Sequence, residues 1–497
     1  MKVDNSLARH WLIVVILSTL IFFALTMVIG AQQSVWFDES YSVLLARSSW
    51  RDLFHLTAVD AHPPLYYLLL KLWGGIGNFN DLWLRFFSAL SAAGAIFFSL
   101  LLARKSFGSK VAILAAPLLA LSPFLMRYGF EIRMYALAAL IAVAATYVLI
   151  KATESNRRKH WVIYGILVAI GMLTLNYMIF VFAAHAAWLV YVWAKQKPRA
   201  KLWREPWLKA YILAIICYLP WLPFAANQLI HDVSSGIATT IGPVEIVKIL
   251  SFTFVYQPEY WLDKWTGFLL IIVTIIAIFL ITRALKLATK PQKQSLILLL
   301  SLSISPILIM IFLGLVSSRG LFVERYIAHF IWAFYLVIGV TAGIVLIKSK
   351  KTAVNIALYL VLVGTLILGV VNLYHHGNFN FQRMQTNAAK EIVATMGGCR
   401  ADRPIVVDDI YEYIELQHYL RGCDNLFFYT DGDMPTRGGY APLEHSSARL
   451  TAQNLDTQNL IVIRIKDQAH FRAPSEFRLI STEETFDVIG IETYTKD

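Results

Sequence analysis

The chain has 497 residues, of which 58% are hydrophobic and only 15% charged. No soluble globular or disordered protein of this length carries so apolar a composition, so both classes are excluded. A net charge of +12 would suggest a nucleic-acid partner in a soluble chain, but its distribution here has another cause, and no nucleic-acid partner is expected.

About eleven apolar runs of the length a bilayer-crossing helix needs lie along the chain, at roughly 11–31, 83–103, 111–127, 134–151, 161–176, 178–194, 207–224, 265–282, 295–316, 326–347 and 353–374. The expected fold is therefore an all-α polytopic membrane protein. The first run lacks a persuasive cleavage site and reads as a retained helix rather than a signal peptide. Lys and Arg gather in every second loop: Lys2 and Arg9, then Arg104 to Lys110, Lys151 to Lys159, Lys195 to Arg204, Arg283 to Lys293, and Lys348 to Lys351. This positive-inside pattern predicts a plasma (inner) membrane protein with a cytoplasmic N-terminus. With eleven spans the C-terminus is outside.

The first outer loop, about 32–82, carries Val35-Trp36-Phe37-Asp38-Glu39-Ser40-Tyr41 and Ala61-His62-Pro63-Pro64-Leu65-Tyr66-Tyr67. Pro63 to Trp73 is apolar but too short to span, and the two prolines suit a helix start. Two short helices lying on the membrane are expected here, with Trp36, Trp50, Tyr66, Tyr67, Trp73 and Trp83 at interfacial depth among membrane lipids. A second outer loop, about 225–264, carries Tyr256, Tyr260, Trp261 and Trp265. The division expected is a membrane domain at 1–375 and a small extracytoplasmic α/β domain at 376–497. From His375 onward there are 12 Lys/Arg against 18 Asp/Glu, a balance of −6 that leaves +18 on the membrane part. In that tail Pro404–Asp408 and Asn459–Ile463 read as buried strands and Tyr411–Arg421 as a helix. Of the three cysteines, Cys217 falls in a span and reads as a packing residue. Cys399 and Cys423 fall in the outer domain, where an oxidising compartment favours a disulfide.

Four clusters could carry chemistry, and the topology puts all four on the outer face. Asp38 and Glu39 could supply a general base or oxygen ligands to a metal, or Asp38 could simply cap a helix. His62 could hydrogen-bond a substrate or be structural. Arg127, Glu131 and Arg133, with Tyr135, form an outer turn that could orient a substrate or brace the carboxylates. The same arginines could equally be snorkelling anchors. Glu324, Arg325 and Tyr326, with Arg319 nearby, could grip phosphate oxygens through the arginine fork, or hold a salt bridge between Glu324 and Arg325. The spans contain few ionisable residues, with His185 an exception, which disfavours an ion-coupled transporter.

With Phe37-Asp38-Glu39, His62-Pro63-Pro64-Leu65, Glu131-x-Arg133-x-Tyr135 and Glu324-Arg325-Tyr326, the chain resembles the glycosyltransferase C superfamily over roughly residues 8–375. It is most similar to the family 39 branch, which includes protein O-mannosyltransferases, and to the related lipid A aminoarabinose transferases. The resemblance implies a polyprenyl-phosphate sugar donor, an inverting single displacement on the outer side, Asp38 as catalytic base with Glu39 as companion, and Arg325 and Tyr326 on the donor phosphate. His62, Tyr66, Arg127, Glu131, Arg133, Tyr135 and Glu324 are expected to belong to the substrate site, and the acceptor is expected to be a lipid, glycan or protein. The first loop has no Asp-x-Asp pair, so no metal or other cofactor is expected. A transporter or flippase of lipid-linked sugars is the alternative. It would not need the Asp38–Glu39 pair and would show more polar residues through its spans.

Overall fold

The computed structural model describes residues 2–196, 201–230, 239–257, 262–317, 320–376, 388–430, 433–434, 436–451, 455–465, 471–485 and 489–496. Helix α1 (Lys2–Ala31) opens the chain. The first loop then holds three short helices rather than two, α2 (Phe37–Arg47), α3 (Trp50–Val59) and α4 (Leu65–Ile76). The 12 residues of α4 make about 18 Å of helix, too short to cross a bilayer. There follow α5 (Asp81–Phe107), α6 (Ser109–Ala120), α7 (Pro123–Phe130), α8 (Tyr135–Ser155), α9 (Arg158–Thr174), α10 (Met178–Lys195), α11 (Pro206–Tyr218), α12 (Leu222–Ile230), α13 (Pro243–Phe254), α14 (Lys264–Leu287), α15 (Lys290–Ser317), α16 (Ile331–Lys348) and α17 (Thr352–His376).

Among the described residues nine helices are long and apolar enough to cross a membrane, or ten if the bent pair α6–α7 counts as one span. Eleven were expected, and two segments account for the difference. The third expected span breaks at Leu121–Ser122, where α6 and α7 meet at 60°. Pro123, the first residue of α7, has no N–H to give a preceding turn and disfavours helix at Ser122. The fifth expected span, α9, has 17 residues, about 25 Å of helix against a hydrocarbon core of about 30 Å.

The chain forms two compact units. The first comprises Met1–Ala31, His62–Tyr66 and Leu82–His375. Its α16 is buried along most of its length and lies directly on α6. Gly339 and Gly343 make that approach possible: a Cβ on Gly339 would stand 2.8 Å from the Cβ of Ala115. Small residues four apart are the usual device for bringing two membrane helices to backbone contact. Cys217 lies on the exposed side of α11, not in the packing role expected of it.

The second unit comprises Gln32–Ala61, Tyr67–Asp81 and His376–Asp497. Its sheet contains β1 (Ile405–Val407), β2 (Leu426–Phe428), β3 (Asn459–Ile465), β4 (Phe477–Thr485) and β5 (Ile489–Lys496), in the order β2-β1-β3-β5-β4. β1 runs parallel to β2 and β3, and β5 is antiparallel to β3 and β4. Helices α18 (Ala388–Thr395) and α19 (Ile410–Tyr419) pack on one face. Alternation along β1 and β3 sends Ile405, Val407, Ile461 and Ile463 to that face, and Val406, Leu460 and Val462 to a second core on the other. Burial on both faces explains why these strands read as continuous apolar runs. The two strands and the helix expected in the tail are present as β1, β3 and α19. Cys399 and Cys423 are disulfide-bonded.

Candidate active site

Asp38 and Glu39 occupy the first turn of α2, in the second unit. A helix N-terminus favours negative charge there. Asp38 is not the cap: Trp36 holds that position. Glu39, the third residue of the helix, reaches back so that its Oε2 accepts from the Trp36 N–H at 3.3 Å, the return bond of a capping box. Glu39 is 1% exposed, whereas Asp38 is half-buried. The pair therefore divides: Glu39 fixes the helix start and Asp38 keeps accessible surface. The charges of Asp38 and Asp409 act on Tyr440, whose hydroxyl is pushed up to about 12 chiefly by burial and then by those carboxylates.

The other candidates belong to the first unit. The short α7 carries Arg127, whose Nη1 donates to Oε2 of Glu131 at 2.9 Å. Both side chains are buried, at 5% and 0% exposure. Arg127 also hydrogen-bonds Tyr256, and Tyr256 feels the charges of Arg127, Glu131 and Glu324 together. The third and fourth clusters thus share one neighbourhood. Burial pushes the Tyr256 hydroxyl well up, and its backbone lies in the left-handed region at φ 49°, where a bulky residue is uncommon and strained backbone tends to mark function. Glu324 forms an ion pair with Lys248. Arg325 lies over the ring of Tyr326, 5.8 Å from its centre, and the Tyr326 ring lies tilted by 32° against that of Tyr177, centroids 4.4 Å apart. Arg133 is buried, and its N–H donates to the Glu131 carbonyl at 2.7 Å. Tyr135 is buried with its ring edge-on to Tyr128. The His62 carbonyl accepts from Gln228 at 3.4 Å, and buried Tyr66 packs against Phe87. Arg319, Tyr260 and Trp261 lie outside the described residues.

Lys248, Tyr256 and Tyr177 were not singled out as site residues from sequence. Lys248 carries a signal, a lone cation in the apolar stretch of α13; Tyr256 is one of four aromatic residues of the second outer loop. Among the described residues no group of three His, Cys, Asp or Glu side chains could hold a metal ion.

Residues 61–224 match the family model described as dolichyl-phosphate-mannose-protein mannosyltransferase. No curated protein matches the chain. Among solved structures, the chain is similar to ArnT from Cupriavidus metallidurans bound to undecaprenyl phosphate, with TM-score 0.64 and 12% identity over 98% of each chain. It is also similar to the Archaeoglobus fulgidus oligosaccharyltransferase in the apo form, with TM-score 0.55 and 13% identity over 91% of this chain and 69% of that one. The archaeal oligosaccharyltransferase AglB from Archaeoglobus fulgidus, in complex with an inhibitory peptide and a dolichol-phosphate, matches with TM-score 0.52, 13% identity and the same coverage. The chain therefore shares its fold with these structures, and residues 61–224, a third of its length, match the mannosyltransferase family model.

Proposed function

We propose that the protein transfers a sugar from a polyprenyl-phosphate-linked donor to a lipid, glycan or protein acceptor on the outer face of the plasma membrane. The observation that carries this reading is the likeness over nearly the whole chain to the ArnT structure bound to undecaprenyl phosphate. The membrane supplies the donor, whose lipid tail stays in the bilayer. Alternate-loop Lys and Arg support a cytoplasmic N-terminus, and the Cys399–Cys423 bond fits an oxidising compartment for the tail.

In the reaction we infer, an acceptor hydroxyl or amine attacks the anomeric carbon and Asp38 takes its proton. The bond from that carbon to the phosphate oxygen breaks, and its electron pair stays on the phosphate. Arg325 and Tyr326 bind that phosphate and stabilise the charge developing there. Arg127 and Glu131 brace the acceptor or donor sugar together with Arg133, Tyr135, His62 and Tyr66. A single displacement inverts the anomeric centre. The test uses purified protein in nanodiscs, a panel of radiolabelled undecaprenyl-phosphate sugars and a membrane extract as acceptor. Transfer of label from one donor, with the anomeric configuration inverted in the product, is expected. A product with retained configuration would remove the single displacement. Donor binding without transfer to any extract would turn the reading toward a flippase.

A further inference from the structure

The segment leading into α2 is held by side chains from the far end of the chain. The Val35 N–H donates to Oη of Tyr419 at 2.7 Å. The Phe37 N–H donates to Oε1 of Glu415 at 2.8 Å. Between them the Trp36 N–H is taken by Glu39. Three successive backbone donors at a helix start, a place where N–H groups lack partners within the helix, are thus each taken by a side chain. Two of those three side chains come from α19, 384 and 378 residues away. The ring of Phe37 is fixed as well. It stacks on Tyr411 with centroids 4.4 Å apart and planes 10° from parallel, and Tyr440 lies 5.2 Å from it. A Cβ on Gly439 would stand 2.8 Å from the Phe37 ring, so the tail leaves it no slack on that side.

Phe37 is the residue before Asp38. Its N–H, the first of the helix, has no acceptor within the helix and donates to Glu415, and its ring is bounded by two tyrosines. A buried carboxylate on a backbone N–H is a charge-assisted bond, stronger than a neutral one. Glu415 is 5% exposed, so the bond forms where water competes little. We propose that Glu415 and Tyr419 of the tail domain are positioning residues that set the direction of the Asp38 carboxylate. The tail then serves the chemistry by holding the base, beyond adding stability to the fold. This rests on the assignment of Asp38 as base. Misplacing a reacting group by about 1 Å can cost on the order of 100-fold in rate, so a modest loosening of residues 34–37 should be visible in turnover.

The test compares wild type, Glu415→Ala, Glu415→Gln, Gly439→Ala and Asp38→Asn, all full-length in nanodiscs. Two readouts are taken: kcat and donor KM with the undecaprenyl-phosphate sugar that wild type turns over, and amide exchange across residues 34–41 without any substrate. Glu415→Ala should lower kcat about tenfold or more with donor KM unchanged, and speed exchange at 34–41. Glu415→Gln keeps an acceptor oxygen and should restore both. Gly439→Ala presses on Phe37 from the tail side and should lower kcat in the same way, which guards against a Glu415 variant that does not fold. Wild-type kcat in Glu415→Ala, or exchange unchanged at 34–41, would overturn the positioning role. Turnover in Asp38→Asn would instead remove the base assignment, and the exchange readout would still say whether α19 holds the segment.

Discussion

In the first unit, Arg127 and Glu131 stand one helical turn apart and both are buried. In the second, Glu415 and Tyr419 take backbone donors at Phe37 and Val35, 378 and 384 residues away in the chain. The first arrangement is local and charge on charge. The second is long-range and side chain on backbone, and the residues it holds flank a carboxylate that stays half-buried. Each fits a different task. A closed ion pair fixes a shape, since neither partner can leave without exposing a buried charge. A grip on the backbone leaves the gripped segment's own side chains available, and Asp38 is one of them.

The largest expected effect tests the closed pair. Arg127→Ala breaks a buried ion pair by removing the guanidinium 2.9 Å from the Glu131 carboxylate, at a cost of about 3–5 kcal/mol. Thermal unfolding in detergent should show it, and removing both side chains should recover part of the loss. If the single change were silent, the pair would be no structural fixture and the contrast would fail. Next is the tail itself. Cys399→Ser opens a disulfide across 24 residues, worth about 3 kcal/mol. The second unit should melt earlier while the spans keep their helical signal; equal melting would mean the tail's core needs no staple. A smaller effect is expected at Arg325, whose alanine variant should raise the apparent donor KM about tenfold with little change in kcat. Unchanged donor affinity would remove the phosphate role and leave Arg325 a neighbour of the Tyr326 ring.

The smallest effect is a dependence on pH confined to the second unit. His418 Nε2 lies 2.6 Å from Oδ1 of Asp81, and an Arg421 amino group lies 2.9 Å from its Nδ1. A neutral imidazole with its proton on Nε2 donates to Asp81 and accepts from Arg421, so both bonds are met without a charge on the ring. Burial holds its pKa below the usual 6.5, with Arg421 and Arg47 pushing the same way and Asp81 opposing. The unfolded chain therefore takes up a proton near 6.5 that the folded one refuses. Stability is full above that value and declines as the pH falls below it. The second unit should melt at a lower temperature at pH 5 than at pH 8, and His418→Gln should flatten the difference. A melting point that rose on acidification would reverse the assigned charge state.

Much of this fold is written in local signals. Long apolar runs place the spans, and continuous apolar triplets place β1 and β3. The charges of Asp38 and Glu39 at the end of the first apolar run single out a candidate site, because a carboxylate is costly there. The break between α6 and α7 was legible too, in Ser122-Pro123, but hydropathy averaged over the segment hides it. Other features leave little local trace. Nothing near Glu324 points to Lys248, since the pair is joined only by the fold. Nothing in Val35 or Phe37 announces Tyr419 or Glu415. Nor does the sequence say that Glu39 would spend its carboxylate on Trp36, which is why the two neighbouring acids, alike on the page, differ in burial and in use.

The most direct measurement sets wild type beside Asp38→Asn in nanodiscs, with a radiolabelled undecaprenyl-phosphate sugar and membrane extract, after circular dichroism has shown both folded. The account predicts label in acceptor with wild type and a loss of 100-fold or more, on the order expected for removing a general base, in the variant. Transfer at the wild-type rate by Asp38→Asn would contradict it.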